Sequence, residues 1–533
     1  MKTLFLVIAT FSSLLAQEPS PKALDPQALL KSPTDTWPTY NGDYTGRRYS
    51  ELSQINKDNV KSLTLAWAFQ THASSLKATP LLVNGILYFS VPDNVWAVDA
   101  LTGRRIWHFS RPSQGDHIAS RGVAMYKDRL FFGTPDAHLI CLDARTGKQI
   151  WDVTIADVTQ GYYLSVAPLV VQDRVIIGTS GDSADVPHYL EAINPDNGAV
   201  LWRWSSVPKP GEPGSETWPS EDAMSHGGGS MWMPGTYDPE LNLVYWGTGN
   251  PDPILAGGVR EGSNLFTCSI VAIHADTGKL AWYFQPSPHD THDWDAVETP
   301  VLFEGVYRGK RRKVLAQASR NGYFFVLDRA TGENLLTSRF VETDWAKGVD
   351  AKGRPIPNPA KEPQRDGALV EANMDGATNW MAPSFDPQTG LFYVNAQKAY
   401  SIWYLMLNAA GKPDGHQGGT LNDFWGTSAL VALDAATGET KWTRDLGEGR
   451  NFSGVLMTAG HLLFSGDVSG NLLALDPATG DVLWHVYAGG MMNSSPMTYI
   501  LGGRQYVLTA VLAGALAGRA VEPQGISGAA AGL

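Results

Sequence analysis

The chain has 533 residues, with 41 Lys and Arg against 53 Asp and Glu, so its formal net charge is −12 at pH 7. Hydrophobic residues make up 43% of the chain and charged residues 18%, which is a globular composition rather than a disordered one. The acidic balance argues against nucleic acid as the main partner, and two cysteines are too few for a zinc cluster, a disulfide framework or a C-x-x-C-H haem attachment.

The first segment of the chain is typical of a secretory signal peptide. Lys2 provides a positive charge, a short apolar run extends from Leu4 to Leu15, and the small Ala16 suits a cleavage site. No later segment has the roughly 18 uninterrupted apolar residues of a membrane-spanning helix. The sequence therefore predicts a signal peptide at residues 1–16 and a periplasmic or secreted protein with no membrane span.

A short unit of strand, turn and strand recurs through the remainder of the chain. Copies that end in Trp do so at Trp107, Trp151, Trp202, Trp282, Trp442 and Trp484, and two degenerate copies begin at Val326 and Ser384. The turn glycine of each unit, such as Gly103, tolerates a positive φ, and the Asp before it can hydrogen-bond backbone N–H groups. The terminal Trp is placed to cover a neighbouring unit.

The spacing of these units predicts the fold class. Equivalent aspartates are 44 residues apart early in the chain, at Asp99 and Asp143, and 42 apart late, at Asp434 and Asp476. This spacing suits a propeller blade, so eight units predict an all-β fold, an eight-bladed β-propeller of four-stranded antiparallel blades. Another all-β repeat array, such as a solenoid, is the alternative. If the ring closes, the strand from Leu63 to Phe69 pairs with the C-terminal strands.

The repeat A-x-D-x-x-T-G-x-x-x-W resembles the tryptophan-docking motif of quinoprotein alcohol dehydrogenases, which hold pyrroloquinoline quinone (PQQ) and a metal ion at the centre of an eight-bladed propeller. Further shared landmarks are WPTYNGDYTG at Trp37, SRGVA at Ser120, GTGNP at Gly247, HDWD at His292, SRNG at Ser319 and NW at Asn379. The resemblance implies an N-terminal segment at 17–60 that packs on the propeller and a propeller at 61–524. The small residues and low complexity of 525–533 predict a flexible tail.

PQQ is a planar quinone with three carboxylates, so its site needs a flat apolar floor and cations. The resemblance implies that Trp232 is the floor, that Arg121 pairs with a carboxylate, and that Arg320 lies beside the quinone oxygens. The alternatives are a packed core tryptophan and arginines in surface turns. The other cofactor-binding residues that the resemblance implies are Lys77, Ser165, Asn379 and Trp380.

Asp295, in the string PHDTHDWD, matches the family's catalytic base, which takes the alcohol proton as hydride passes to the quinone. Read alone, the string is either a metal cluster or a polar loop. Because carboxylates and amides are hard oxygen donors, one Ca²⁺ fits better than zinc. The resemblance implies that Asp295 and Asn250 are ligands of this ion.

Two departures from the family pattern affect the disulfide that covers the cofactor and the metal site. The adjacent cysteines that form a disulfide over the cofactor are replaced by Gly115 and Asp116. The acidic metal ligand of the family is replaced by Ser183, a weaker calcium donor, unless Asp182 or Asp185 takes its place.

Two further departures concern charge. Lys77 replaces a Glu that touches the cofactor, and it can pair with a PQQ carboxylate instead. Val297 stands where lanthanide-using relatives have a second Asp, which disfavours a lanthanide.

The sequence thus predicts an exported quinoprotein with Asp295 and Arg320 as its catalytic residues. It would oxidise an alcohol or sugar alcohol to an aldehyde or ketone and pass electrons to a separate carrier, such as a soluble cytochrome c. The alternative, motivated by Ser183 and Lys77, is a non-catalytic propeller that binds a partner protein or another small ligand.

Overall fold

A computed structural model describes residues 23–72, 76–114, 119–181, 184–414, 417–511 and 514–520, the last range for its backbone only. These residues form eight antiparallel blades around a ring. First strands of neighbouring blades contact one another between blades 2 and 3, 4 and 5, and 6 and 7, so the first strands line the hub. Middle strands such as Ile86–Val91 and Asn94–Asp99 are mostly buried on both faces because neighbouring blades cover them, whereas the outer strand Arg105–Ser110 is largely exposed.

The strands are numbered in chain order. Before the first complete blade come β1 (Tyr49–Ser50) and β2 (Leu63–Gln70). Blade 1 contains β3 (Leu81–Val83), β4 (Ile86–Val91), β5 (Asn94–Asp99) and β6 (Arg105–Ser110). Blade 2 contains β7 (Ala124–Tyr126), β8 (Arg129–Gly133), β9 (His138–Asp143) and β10 (Gln149–Thr154). Blade 3 contains β11 (Leu169–Val171), β12 (Arg174–Gly178), β13 (Tyr189–Ile193) and β14 (Val200–Ser205).

The next blades carry the longer insertions. Blade 4 contains β15 (Thr236–Asp238), β16 (Leu243–Gly247), β17 (Ile270–His274) and β18 (Leu280–Phe284). Blade 5 contains β19 (Val301–Tyr307), β20 (Lys310–Ala318), β21 (Tyr323–Asp328) and β22 (Asn334–Arg339). A separate ribbon, β23 (Ala346–Val349) and β24 (Pro355–Pro357), precedes blade 6. Blade 6 contains β25 (Ala368–Glu371), β26 (Ser384–Phe385), β27 (Leu391–Leu405), β28 (Gly419–Asp434) and β29 (Thr440–Glu448).

The last two blades incorporate the strands from the N-terminal part of the chain. Blade 7 contains β30 (Leu456–Thr458), β31 (Leu462–Gly466), β32 (Asn471–Leu475) and β33 (Val482–Tyr487), with β1 parallel to β30. Blade 8 contains β34 (Met497–Leu501), β35 (Arg504–Val511) and β36 (Gly514–Ala520). Its outer strand is β2, which pairs antiparallel with β36. The eight-bladed fold and the predicted closure of the ring are therefore confirmed.

Helices are short in the described part of the chain. The α-helix α1 spans Glu221–His226, and the 3₁₀ turns span Pro26–Leu30, Val60–Ser62, Val158–Gln160, Ser215–Thr217, Gly257–Val259 and Pro359–Lys361. Among the described residues, no helix is long and apolar enough to cross a membrane. The predicted signal peptide at 1–16 and the predicted tail at 525–533 lie outside the described residues, and the boundaries of the predicted segments 17–60 and 61–524 stay predictions.

The repeated Trp and Gly join each blade to the next. Trp107 donates its indole N–H to the carbonyl of Ala144 at 3.0 Å. Its ring lies against Gly147, whose φ is +71° and where an added Cβ would lie 2.7 Å from Trp107 Cε3. Indole hydrogen bonds to backbone carbonyls recur at Trp67, Trp151, Trp202, Trp282 and Trp442. The motif is therefore a blade-to-blade contact, as its sequence predicted.

One predicted copy of the repeat is not equivalent to the others. The copy at Ser384 forms the turn between β26 and β27, the inner hairpin of blade 6, whereas the other copies form outer hairpins. Asp386 and Gly390 make the same turn there because this turn chemistry suits any hairpin. The outer strand of blade 8 comes instead from β2, where Trp67 fills the docking position.

A segment that we call the N-terminal strap, residues 37–50, crosses the hub. Trp37 bridges to Leu82 of blade 1, and β1 pairs with blade 7. Strap carbonyls accept backbone hydrogen bonds from Tyr237, Leu302 and Phe385, in blades 4, 5 and 6. One segment therefore connects the inner strands of five blades.

Candidate functional site

A cavity of about 220 Å³ lies where loops from several blades meet. These loops either connect successive blades or join the second and third strands of one blade, so they converge on one face of the ring. The predicted residues that line the cavity are Arg121, Ser165, Trp232, Asn250, Asp295, Arg320, Asn379 and Trp380. The structure thus brings together residues that are up to 259 positions apart in the chain.

Asp295 lies in the loop between β18 and β19, and its side chain is 4% exposed. Its Oδ2 accepts hydrogen bonds from Trp232 Nε1 at 2.6 Å and from Arg320 Nη1 at 3.0 Å. Its Oδ1 accepts one from the backbone N–H of Asn250 at 2.7 Å. A carboxylate only accepts hydrogen bonds when ionised, so three donors match that form.

Arg320 lies in the turn between β20 and β21 and is buried. It also contacts Asp293 Oδ2 at 3.3 Å and donates to the carbonyl of Met374 at 2.6 Å. Burial alone would lower the pKa of Arg320. The nearby carboxylates of Asp293 and Asp295 raise it by more than burial lowers it, so the net shift of the pKa is upward. The guanidinium is therefore a fixed positive charge beside the cavity.

Arg121 and Ser165 form a second polar pair in the cavity. Arg121 Nη1 donates to Ser165 Oγ at 3.0 Å, and its guanidinium carbon lies 4.4 Å from the centre of the Trp232 ring. The indole of Trp232 thus presents a flat face to the cavity with a cation above it.

Trp380 lines the cavity and contacts a second aromatic ring and a cation behind the lining residues. The Trp380 ring stacks on Phe452 at 4.7 Å, and Lys77 Nζ lies 4.4 Å from the centre of the Trp380 ring. Asn379, beside Trp380, uses its side chain within its own turn, since Nδ2 donates to the carbonyl of Asp375 and Oδ1 accepts from the N–H of Trp380. Lys77 thus adds a positive charge to this wall through its contact with Trp380.

The oxygen groups near Asp295 include two acids besides the predicted ligands. Asp252 and Asp293 line the cavity together with Asn250. Among the residues that the structure describes, no group of three or more His, Cys, Asp or Glu side chains is arranged so that it could hold a metal ion. Asp182 and Ser183 lie outside the described residues. Asp185 is engaged elsewhere, by His226 Nδ1 at 2.9 Å on a half-exposed surface.

The histidines of PHDTHDWD support the loop rather than converge on a common point. His289 Nδ1 lies 2.7 Å from the carbonyl of Gly262, whereas His292 stacks on Trp294 and contacts the carbonyl of Lys361 through Nε2. Burial lowers the pKa of each histidine to about 4. This arrangement agrees with the polar-loop interpretation for the histidines.

Several cavity residues were missed by the sequence analysis. His188 is buried, and burial lowers its pKa to about 3. Ser230 Oγ is buried and has no hydrogen-bond partner in the described part of the chain. Ile254, Met374 and Gln417 also line the cavity. The only signal in the sequence was the Gly- and Pro-rich composition of the loops that carry several of them.

Comparisons with known proteins agree with this geometry. The family model described as glucose/ethanol/alcohol dehydrogenase, beta-propeller domain, matches residues 37–363, and that of the outer membrane protein assembly factor BamB matches residues 426–521. A quinohemoprotein alcohol dehydrogenase from Comamonas testosteroni is 37% identical over 92% of this chain and 75% of its own length. The quinoprotein alcohol dehydrogenase PedH from Pseudomonas putida is 35% identical over 95% of this chain and 91% of its own.

A solved structure shows the same similarity in three dimensions. The quinohemoprotein alcohol dehydrogenase ADHIIG from Pseudomonas putida HK5 superposes with a TM-score of 0.87 at 32% identity. The match covers 96% of this chain and 85% of that one. In the sequence comparisons and in the structure comparison alike, the identity is above 30% over more than 90% of this chain.

Proposed function

Because the chain belongs to the PQQ-dependent alcohol dehydrogenase family, we propose that its cavity binds PQQ and oxidises an alcohol or sugar alcohol to an aldehyde or ketone. The observation that carries the proposal is the contact of Asp295 with both Trp232 and Arg320. A base, a flat aromatic floor and a fixed cation then occupy one cavity.

The charges around the cavity suit a planar tricarboxylate. Arg121 lies over Trp232, Lys77 lies over Trp380, and Arg320 borders the same space. Ser230 Oγ and Arg320 Nε have no hydrogen-bond partner in the described chain, so an acidic ligand would supply acceptors to buried donors. Trp232 would provide a flat surface for the ring system of the cofactor, and Arg121 would pair with one of its carboxylates.

Asp295 is the group that would hold the alcohol proton. When bound, PQQ supplies an electrophilic carbonyl that accepts hydride from the alcohol carbon. Asp295 Oδ2 would receive the hydroxyl proton while Arg320 Nη1 stays within hydrogen-bond distance of that oxygen. Both groups are buried, which limits the access of water to this proton transfer.

One Ca²⁺ is the proposed metal. Hard oxygen donors are available from Asp295 and the side chain of Asn250, and Asp252 adds a carboxylate on the same wall. Ser183 and Asp182 complete the set of proposed ligands from the sequence. Val297 at the position of the second Asp disfavours a lanthanide.

The proposal also covers the electron acceptor and the cellular location. The proposed electron acceptor is a separate carrier such as a soluble cytochrome c, as the name of a relative, 1-butanol dehydrogenase (cytochrome c) from Thauera butanivorans, supports. The predicted signal peptide at residues 1–16 supports a periplasmic or secreted location. Family membership favours this enzymatic function over a non-catalytic propeller that binds a partner protein.

The direct test is turnover. The full mature chain is loaded with PQQ and Ca²⁺ and mixed with a dye acceptor and a panel of primary, secondary and sugar alcohols. We expect dye reduction that requires PQQ and an alcohol, with protein lacking PQQ as the control. Absence of PQQ-dependent dye reduction with every alcohol would refute the proposed function.

A further inference from the structure

Arg260 is a completely buried cation close to the cavity that the proposed chemistry does not use. Its Nε donates to the carbonyl of Pro253 at 3.0 Å, and its Nη1 donates to Asn264 Oδ1 at 2.9 Å. Its Nη2 donates to the carbonyls of Ile254 at 2.7 Å and Asp290 at 2.6 Å. Burial lowers the pKa of Arg260 to about 10, so it remains charged at neutral pH.

These hydrogen bonds join two loops that border the cavity. We call residues 251–264 the wall loop; its Asp252 and Ile254 line the cavity. The loop that contains Asp290 continues to Asp295, and Asp290 Oδ2 accepts the backbone N–H of Trp294. One guanidinium therefore connects the wall to the segment that carries the proposed base.

The other side of the wall loop lies on the tip of the long β27–β28 hairpin. The backbone N–H of Leu255 donates to the carbonyl of Gln417 at 2.8 Å. Gly418 approaches so closely that an added Cβ would lie 2.4 Å from Ala256 Cβ. The wall loop is thus held between Arg260 inside and the hairpin tip outside.

We propose that Arg260 is a positioning residue that fixes Ile254 in the cavity wall and thereby limits the size of the alcohol that reaches Asp295. This inference rests on the proposed function. Ile254 is a buried apolar side chain in a cavity that is otherwise bordered by several charged and polar groups. The alkyl or aryl substituent of the alcohol would lie against Ile254 and against Met374 and Trp380, which line the same cavity.

Arg260 can limit the size of the alcohol because its hydrogen bonds hold the wall loop rigidly. A pocket wall discriminates between substrates that differ by a methylene by roughly 10-fold or more, provided that the wall does not move. An arginine that binds carbonyls from two loops prevents this movement, because each freed carbonyl would be buried without a donor. A loosened wall should admit larger alcohols without removing the base.

The experiment compares three test variants and one control variant with the wild-type enzyme, all loaded with PQQ and Ca²⁺. Ile254→Ala should raise kcat/KM for benzyl alcohol relative to ethanol by about 10-fold. Arg260→Gln should shift this ratio in the same direction, mainly through KM, and Arg260→Lys should restore part of it. Arg48→Lys is the matched control, because Arg48 is also buried and donates to three carbonyls, of Tyr40, Val455 and Pro496. It should lower the melting temperature and leave the ratio unchanged.

Hydrogen exchange supplies a readout that does not depend on activity. We expect the amide of Leu255 to exchange faster in Arg260→Gln than in the wild type, and Arg48→Lys not to change it. An unchanged alcohol ratio in active Arg260 variants, or an unchanged exchange rate, would overturn the inference. If Arg260→Gln does not fold, Arg260→Lys and Ile254→Ala carry the same test. Absence of wild-type turnover would instead refute the proposed function.

Discussion

The substitution Asp295→Asn tests the proposed base with little change in shape. In the wild type, Asp295 Oδ2 faces two donors, Trp232 Nε1 and Arg320 Nη1, and Oδ1 faces the N–H of Asn250. An asparagine has one oxygen and one NH₂ group, so in either orientation at least one of these donors faces another donor. The variant cannot take the alcohol proton.

The expected losses follow from these contacts. Removal of a general base lowers the rate by roughly 10²–10⁴-fold. A buried donor without an acceptor costs about 1–3 kcal/mol of folding stability. We therefore expect kcat to fall at least about 100-fold, whereas the melting temperature falls by a few degrees.

The assay is dye-linked alcohol oxidation with the bound quinone quantified for each variant. Asp293→Asn is the matched control, because Asp293 also contacts Arg320, at 3.3 Å, but its side chain is 20% exposed and Arg320 keeps Asp295 as a partner. We expect this control to lose less than about tenfold in kcat. A fall of less than tenfold in folded, quinone-loaded Asp295→Asn would refute the assignment of the base.

Three further predictions concern the scaffold, its pH dependence and cofactor affinity. Gly147→Ala would place Cβ 2.7 Å from Trp107. It should lower the free energy of unfolding by about 1–3 kcal/mol more than Gly309→Ala, because Gly309 has a similar φ of +74° but open space around it. Equal denaturation midpoints of the two variants in urea would contradict this. Burial lowers the pKa of His292 from 6.5 to about 4, so its contribution to stability is complete above pH 6.5 and is lost as the pH falls toward 4. Unfolding measured between pH 4 and 7 should show a shallower loss in His292→Gln, and parallel curves would disprove the shift. Lys77→Gln should weaken PQQ binding relative to the wild type, because it removes a cation beside a tricarboxylate; equal dissociation constants from tryptophan fluorescence would argue against a role for this charge.

The blades could be predicted because their determinants are local. An Asp, a Gly and a Trp within eleven residues specify a hairpin and its contact with the next blade, as Trp107 and Gly147 show. The same chemistry does not specify which hairpin of a blade it forms, and the copy at Ser384 forms an inner hairpin whereas the other copies form outer ones. The path of the N-terminal strap and the length of β27 and β28 depend on contacts between distant segments, and no periodicity in the sequence encodes them.

The candidate site was predicted through the family resemblance, not through spacing. Trp232 and Asp295 are 63 residues apart, and only the ring geometry brings Nε1 and Oδ2 within 2.6 Å. His188, Ile254 and Gln417 were missed because each reaches the cavity through the path of a loop. The role of a buried arginine such as Arg260 cannot be predicted from the sequence either, since it depends on which carbonyls the fold brings near the guanidinium.

The most direct measurement is an equilibrium titration of the purified protein with PQQ in the presence of Ca²⁺, followed by quenching of tryptophan fluorescence. We predict saturable binding of one quinone per chain, with weaker binding in Trp232→Ala and in Arg121→Ala. Failure of the wild-type protein to bind the quinone, or binding that neither substitution weakens, would contradict a cofactor site in this cavity.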